Sequence, residues 1–491
     1  MSRSVNDPLL QALASFRSIV GEGNVFNGDQ IEERYCVDVM HKYRSRPSCI
    51  VRPGDTAQVA EVVKVAGKAG MSITPLGGRT GVVGGGICGD GGVALSLERM
   101  SRIEEVDSDS MTMTVEAGVP LQRAQEVAES RQLMLPLDLG ARGSATIGGN
   151  IATNAGGVRV LRWGMTRDMV LGLEAVLASG SVVSALCKSL KDNAGYHWKD
   201  LLVGSEGTLG IITRAVLRLR PLPRSAQTAL LALAGFDAVP PLLRRLEGQF
   251  AGQLSSFELM WHDFYEYVST AQLRTRQRPL PLGSPLYALV ETLGSNPERD
   301  LDLFQEGLNE AREAGLVLDA VIAQTARDRT DLWAIRDDLT EAFRPLFPLV
   351  AFDVSLALKD MAAFVDSSRT ALRVLYPSST ILYYGHAGDG NLHAVVGLDP
   401  NDGTAEAKVE GAVYGCVRQF GGSISAEHGI GMAKREFIHF TRTAEELALM
   451  RSIKAALDPQ NIMNPGKVLP DQNVMDAGAS RAIAGHQRLS P

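Results

Sequence analysis

The hydrophobic pattern near the start of the chain predicts a β-α-β unit that opens onto glycines. Residues 48–52 form a short apolar run typical of a strand, and residues 59–66 repeat apolar side chains at helical spacing. A second apolar run begins at Ile73 and continues into the segment Pro75-Leu-Gly-Gly-Arg-Thr-Gly81. Because α/β proteins often present backbone to a ligand where a strand ends, this loop is the first candidate site.

The pattern changes after about residue 224, which predicts a domain boundary there. Residues 172–184 read as strand, turn and strand, and residues 204–223 end in two prolines. Residues 300–314 and 330–343 instead show helical spacing in a region that is poorer in glycine. Glycine-rich segments return only after about residue 380.

Composition and charge exclude several classes of protein. Of 491 residues, 45% are hydrophobic and 21% are charged, which is ordinary for a globular protein. The net charge is −7 and there is no sustained basic run, so we expect no nucleic-acid partner. The most apolar windows contain charged residues, so we expect no membrane span. Five dispersed cysteines without a C-x-x-C pair indicate free thiols and a cytoplasmic protein.

Many of the 50 glycines lie between residues 77 and 157. The loop at 75–81 offers backbone N–H groups free of side-chain bulk, which suits a pyrophosphate. Residues 137–157 interleave glycines with small polar side chains and predict a long polar wall, more than a turn requires. Residues 204–208 place the carboxylate of Glu206 between further glycines. Three such elements predict the binding of an extended dinucleotide.

Three of the eight histidines lie close together in the last third of the chain. His386 and His393 flank a predicted glycine turn, so a hairpin there would bring the two imidazoles together. Glu427 and His428 follow in a second glycine-bordered segment. Two histidines and a carboxylate form the ligand set of a catalytic zinc site, and the same donors accept manganese, iron or cobalt. Ordinary structural histidines are the alternative interpretation.

Arg336 is a candidate for binding a carboxylate, because a guanidinium binds that group through two parallel hydrogen bonds. Thr340 lies four residues later, on the same face of the predicted helix. The alternative is an ordinary ion pair between Arg336 and Asp337 or Glu341.

Four ordered motifs give the chain a resemblance to a known family. PLGGRTG, DLGARGSATIGGNIATNAGG, KDNAGY and GSEGTLGIIT resemble the FAD-binding domain of vanillyl-alcohol-oxidase-type flavoproteins. Within that superfamily the chain most resembles the FAD-linked D-2-hydroxyacid dehydrogenases of the D-lactate and D-2-hydroxyglutarate type. The resemblance implies an α+β fold, in which a two-lobed α/β FAD-binding domain carries an α+β cap domain with an antiparallel sheet.

We therefore expect five segments along the chain. They are an N-terminal helical segment (1–44), the FAD-binding domain (45–224), a substrate- and metal-binding cap domain (225–440), a helical segment that returns to the FAD domain (441–470) and a tail (471–491).

By this resemblance, residues 75–81 hold the FAD pyrophosphate, residues 138–157 line the flavin and ribityl chain, and Glu206 lies near the adenosine. The first loop contains no histidine, so we expect FAD to be bound without a covalent histidine link. The implied cofactor-binding residues are Pro75, Gly77, Gly78, Arg79, Thr80, Gly81, Asp138, Gly143, Ser144, Gly148, Gly149, Asn154, Gly156, Gly157, Glu206, Gly207, Ile211 and Asn464.

The segments HAGDGNLH and SAEHGIG resemble the metal motifs of the same family. They imply His386, His393 and Glu427 as ligands of Zn²⁺ or another divalent metal, and His428 as the catalytic base. Positions matching Arg336, Thr340 and Asn391 contact substrate in the D-2-hydroxyglutarate enzymes. In the implied reaction the metal holds the hydroxyl and one carboxylate oxygen, a histidine removes the hydroxyl proton, and the Cα hydride passes to flavin N5.

The expected function is oxidation of a D-2-hydroxy acid to the 2-oxo acid, with D-2-hydroxyglutarate as first substrate and D-lactate, D-malate or glycolate as alternatives. Ala351 stands where the D-2-hydroxyglutarate enzymes carry a lysine, which bears on this choice. Two other interpretations stay open: a metal-dependent hydrolase and a flavin-binding subunit without turnover. The expected electron acceptor is a quinone or an electron-transfer flavoprotein, and a homodimer is one option for assembly.

Overall fold

Helices and strands are mixed along the chain, which confirms the predicted α+β class. The computed structural model describes residues 8–272 and 277–470, so the predicted tail lies outside the described residues. The helices, labelled α1 to α15 in chain order, are Pro8–Val20, Thr56–Lys68, Leu121–Glu129, Ile147–Thr153, Val160–Trp163, Thr166–Met169, Lys199–Leu202, Val239–Phe250, His262–Gln272, Pro297–Glu313, Ala326–Asp337, Leu339–Phe343, Met361–Leu375, Ala405–Gln419 and Ala444–Leu457. The strands, labelled β1 to β18, are Val25–Asn27, Cys49–Val51, Ile73–Leu76, Val93–Ser96, Ile103–Asp107, Thr112–Glu116, Leu133–Met134, Val170–Val176, Val182–Ala185, Ile211–Arg218, Arg220–Pro221, Ser225–Leu233, Leu254–Trp261, Leu286–Gly294, Val317–Ile322, Leu349–Ser355, Ile381–His386 and Asn391–Gly397.

The predicted β-α-β unit is confirmed by β2, α2 and β3. Strands β2 and β3 both pair in parallel with β4, and β1 adds an antiparallel edge to give the order β1-β2-β4-β3. Helix α2 starts where the Asp55 carboxylate accepts a hydrogen bond from the Gln58 N–H. The apolar residues at helical spacing, such as Val59 and Val63, are buried in the core.

A second, antiparallel sheet has the order β5-β6-β10-β8-β9, and its β8–β9 pair confirms the predicted strand-turn-strand at 172–184. Both sheets share one hydrophobic core, and we call this part the first lobe. The chain returns to it near its C-terminus, where Ile462 and Met463 enter the same core and the Asn464 N–H bonds the Ile73 carbonyl.

The second lobe is built on a seven-stranded antiparallel sheet with the order β15-β12-β14-β13-β17-β18-β16. Helices α8, α10, α13 and α14 cover one face of this sheet. Helices α9, α11 and α12 cover part of the other face. The rest of that second face is turned toward the glycine-rich loops of the first lobe and carries the histidines discussed below.

The helix predicted over 300–314 is confirmed by α10, but the continuous helix predicted over 330–343 is wrong. Helix α11 ends at Asp337, and Asp338 adopts φ −79° and ψ 58°, outside the helical range, before α12 begins. Apolar spacing did not reveal the break, because Ile335 before it and Phe343 after it still reach the same core. Within the described part of the chain, none of the helices has the length and hydrophobicity needed to cross a bilayer.

Candidate active site

One cavity of about 520 Å³ lies between the two lobes and connects the glycine-rich loops to the histidine cluster. Its first-lobe wall consists of backbone-rich segments at 75–87, 138–141 and 146–158. Its second-lobe wall carries acidic, basic and imidazole side chains, namely Arg336, Asp337, Tyr384, His386, His393, Glu427 and His428. The fold therefore joins the dinucleotide motifs and the candidate metal motifs in a single space.

The loops of the first lobe approach each other so closely that only glycine fits. A Cβ added at Gly78 would overlap the Ser144 carbonyl, and one at Gly148 would lie 2.5 Å from the Ala117 Cβ. Thr146 caps the start of helix α4, because its hydroxyl accepts a hydrogen bond from the Gly149 N–H. The result is a narrow cradle lined by main chain, as a long polar cofactor requires.

A buried donor in the same cradle supports this assignment. Asn150 lines the cavity, and its Nδ2 has no hydrogen-bond partner among the described residues. Buried polar atoms are nearly always hydrogen-bonded, so this amide is free for a ligand. The cradle and the free donor together fit an extended dinucleotide such as FAD.

Most of the predicted cofactor-binding residues line this cavity. Those that do are Pro75, Gly77, Gly78, Arg79, Thr80, Gly81, Asp138, Gly148, Gly149, Gly156, Gly157, Glu206 and Gly207. Gly143, Ser144, Asn154, Ile211 and Asn464 are not part of its wall. Asn464 instead supports the wall from behind, because its Nδ2 donates to the carbonyls of Gly85 and Glu206.

Glu206 ties the first lobe to the segment that follows His428. Its carboxylate accepts hydrogen bonds from the N–H groups of Ile430, at 2.7 Å, and Gly431, at 2.8 Å. Burial raises the pKa of Glu206, although these two hydrogen bonds oppose that change. The side chain thus has a partner across the lobe boundary that the sequence did not indicate.

The predicted hairpin around residues 388–390 is confirmed by the antiparallel pair β17–β18. His393 lies opposite Tyr384, while His386 continues past the hairpin pairing and lies opposite Glu258 of β13. The two imidazole centroids are 5.3 Å apart. The two histidines therefore lie on the same face of the sheet. His386 is two residues further along β17 than Tyr384, the residue that faces His393.

His386, His393 and Glu427 each offer one ligand atom, and these atoms lie within 4.8 Å of one another. The Glu427 Oε1 is 3.9 Å from His386 Nε2 and 3.7 Å from His393 Nε2. Metal–ligand bonds of about 2 Å put two ligands of one ion at most about 4 Å apart, so small side-chain shifts suffice. The donor set and its spacing fit one divalent cation.

Glu258 supports this cluster from the neighbouring strand and was missed by the sequence analysis. Its Oε1 lies 2.6 Å from His386 Nδ1, which directs His386 Nε2 toward the cluster. Burial would lower the pKa of His386, but the Glu258 carboxylate outweighs it and raises the pKa to about 9. Burial, reinforced by His386, moves the pKa of His393 well below its usual value. The sequence offered one signal for this residue, a single acid within the apolar run 257–261.

Asp353 anchors the loop that carries Glu427 and His428. Its Oδ2 accepts hydrogen bonds from the N–H groups of Glu427, at 3.1 Å, and His428, at 2.9 Å. It also lies 3.6 Å from His428 Nδ1. Burial opposes ionisation of Asp353, but the charges of His428 and Lys434 outweigh it and hold its pKa well below the usual range. The carboxylate thus fixes both the loop and the orientation of the imidazole.

Among the predicted substrate contacts, only Arg336 lines the cavity. It is buried and pairs with Glu258, with Nε 2.9 Å from the carboxylate, rather than forming an exposed pair with Asp337 or Glu341. Thr340 is exposed and outside the cavity because the helix breaks at Asp338, so the prediction that the two share a helix face is wrong. Asn391 is buried beside the hairpin turn but is not part of the cavity wall.

In the oxidation predicted from the sequence, replacing Gly156 with alanine is expected to lower the rate about fivefold. The new Cβ would lie 3.1 Å from the Glu427 Oε2, so the carboxylate of this candidate metal ligand must shift. Small misplacements of groups at a reaction centre are costly. Steady-state kinetics would measure the loss. Gly140→Ala is the matched control, because it also lines the cavity but its Cβ meets nothing within 4 Å. Equal rates for both variants would contradict the expectation.

Two family models match the chain over most of its length. One, described as an FAD binding domain, matches residues 47–186. The other, described as the C-terminal domain of FAD linked oxidases, matches residues 222–468.

Curated relatives are similar over nearly the whole chain. D-2-hydroxyglutarate dehydrogenase of Xanthomonas citri pv. viticola is 38% identical and covers 89% of this chain and 92% of its own length. The mitochondrial D-2-hydroxyglutarate dehydrogenase of Arabidopsis thaliana is 35% identical, with 94% of this chain and 83% of its own length covered. Among solved structures, p-cresol methylhydroxylase matches with a TM-score of 0.75 at 17% identity, over 96% of this chain and 98% of its own, which shows a shared fold.

Proposed function

The chain belongs to the family of FAD-linked oxidases, and within it to the FAD-dependent D-2-hydroxyacid dehydrogenases; we propose that it oxidises D-2-hydroxyglutarate to the corresponding 2-oxo acid. The observation that carries this proposal is the single cavity, which has a glycine cradle at one end and two histidines with a glutamate at the other. A metal-dependent hydrolase would need the two histidines and the glutamate, but it would not need the glycine cradle.

We propose that residues of the loops at 75–81 and 138–157 hold FAD, whose isoalloxazine ring supplies the two-electron redox chemistry when bound. We further propose that His386, His393 and Glu427 hold Zn²⁺ or another divalent cation. Such a cation supplies positive charge that stabilises a substrate alkoxide. The free amide of Asn150 and the spacing of the three ligand atoms support the two assignments.

The side chains around this end of the cavity divide the remaining tasks. His428 is the proposed base: its Nδ1 faces Asp353, which leaves Nε2 to receive the hydroxyl proton of the substrate. Arg336 supplies positive charge for the substrate carboxylate. Glu427 and His428 follow each other in the chain, so the anchor at Asp353 holds the ligand and the base together.

Reoxidation of the reduced flavin needs an external electron acceptor. We propose a quinone or an electron-transfer flavoprotein for this role.

One observation favours a second candidate substrate, a shorter acid such as D-lactate. Ala351 lines the cavity on β16 and offers a methyl group where the resemblance leads one to expect a lysine. Within the described residues, Arg336 is the only arginine or lysine that lines this end of the cavity, and it is already paired with Glu258. The second carboxylate of a dicarboxylic substrate would therefore lack an obvious partner. A monocarboxylic acid has no second carboxylate and needs no such partner.

Anaerobic titration of the purified holoenzyme tests the proposal. We expect D-2-hydroxyglutarate or D-lactate to bleach the visible absorbance of the bound flavin, whereas the L-acids leave it unchanged. The acid with the higher kcat/KM identifies the substrate. A colourless protein that hydrolyses esters or peptides would instead support a metal-dependent hydrolase. A yellow protein that no acid bleaches would support a flavin-binding subunit without turnover.

A further inference from the structure

We propose that the hydroxyl of Tyr384 binds the carboxylate of the 2-hydroxy acid beside Arg336. This inference rests on the proposed function and adds a substrate-binding residue that the sequence motifs do not include. It follows from the position of Tyr384 on the sheet, from its missing hydrogen bond and from the charges around it.

Tyr384 stands on the same face of the sheet as the candidate metal ligands. It precedes His386 by two residues on β17, and alternate residues of a strand point to the same side. It is also the direct cross-strand neighbour of His393, with ring centroids 5.0 Å apart. Tyr384 lines the same cavity as both histidines.

The ring of Tyr384 is fixed by packing, whereas its hydroxyl has no partner. The ring stacks on Phe264 with centroids 4.3 Å apart, and the residue is only 8% exposed. Among the described residues, nothing forms a hydrogen bond with its hydroxyl. Tyr383, one residue earlier, points to the opposite face, where its hydroxyl lies 2.8 Å from the Ser368 hydroxyl. Because Tyr384 lines the cavity, a ligand bound there can accept a hydrogen bond from this hydroxyl.

The local charges favour a neutral donor at this place. The Arg336 guanidinium lies 4.7 Å from the centre of the Tyr384 ring, but its Nε pairs with Glu258 and its Nη2 is 3.3 Å from His386 Nε2. Glu258 therefore balances part of the Arg336 charge before substrate arrives, and a second donor can share the substrate carboxylate. A tyrosine phenol ordinarily keeps its proton at neutral pH, so its hydroxyl can donate a hydrogen bond to a carboxylate.

Tyr384→Phe tests the inference, because it removes the hydroxyl and keeps the ring stacked on Phe264. The matched control is Tyr383→Phe, which removes the neighbouring hydroxyl on the other face of the sheet. The binding of the 2-oxo acid product to the oxidised holoenzyme is measured by calorimetry and by the change in the flavin spectrum. The oxidised enzyme does not turn this ligand over, so binding is separated from the reaction.

We expect Tyr384→Phe to weaken binding of the 2-oxo acid about tenfold, as for a lost hydrogen bond to a charged group, and Tyr383→Phe to bind like the wild type. Both variants should retain the wild-type flavin content. Equal binding by Tyr384→Phe and wild type would overturn this inference alone, and so would equal weakening in both variants. A wild-type enzyme that no D-2-hydroxy acid reduces would overturn the proposed function and this inference together.

Discussion

Replacing His393 with alanine is expected to slow flavin reduction by the substrate about a thousandfold while FAD remains bound. The variant removes one of the three candidate ligands, and a bound cation contributes several kcal/mol of charge stabilisation in reactions of this type. FAD should remain because the glycine cradle lies in the other lobe and none of its loops includes His393. Stopped-flow absorbance under anaerobic conditions measures the rate.

The control for this variant is His262→Ala. His262 begins α9, its Nδ1 lies 3.0 Å from the Ser284 carbonyl, and it is not part of the cavity wall. We expect a wild-type rate and a wild-type metal content, whereas His393→Ala should lose both. A strong chelator should reproduce the His393→Ala defect in the wild-type enzyme, and adding back a divalent cation should reverse it. Normal reduction by His393→Ala would remove the metal from the proposed mechanism.

The parts of the site that lie close together in the chain could be predicted from the sequence. The hairpin needs only the glycine turn between His386 and His393, and the structure forms it. The loop at 75–81 likewise follows directly from a strand and a helix with clear apolar spacing. In both cases the pattern and the chemistry are adjacent in the chain.

The supporting residues could not be predicted, because their partners are distant in the chain. Glu258 meets His386 across 128 residues, through pairing of β13 with β17. Asp353 meets the His428 N–H across 75 residues. For Thr340 the sequence predicted a contact that the structure does not form. The four-residue spacing placed it beside Arg336 on one helix face, but a non-helical residue between them leaves Thr340 exposed at the surface.

Replacing Glu258 with glutamine is expected to weaken metal binding about a hundredfold and to lower the free energy of unfolding by about 3 kcal/mol. The amide cannot balance the charge of Arg336, and breaking a buried ion pair from one side is strongly destabilising. It also holds His386 less firmly, and loss of such a support typically costs ten- to a hundredfold in metal affinity. Competition with a chelator measures the affinity, and urea unfolding measures the stability.

Glu291→Gln is the matched control, because Glu291 is a buried carboxylate on the adjacent strand β14 of the same sheet. It accepts hydrogen bonds from Thr228 and from the Trp333 indole, and it does not line the cavity. Burial raises the pKa of Glu291, although the Trp333 hydrogen bond opposes this. The side-chain amide of glutamine has nearly the same shape, and its oxygen can still accept a hydrogen bond. We expect metal affinity to stay at the wild-type value in this variant. If both variants lost affinity equally, general disturbance of the sheet would explain the effect, and Glu258 would have no specific part in holding His386.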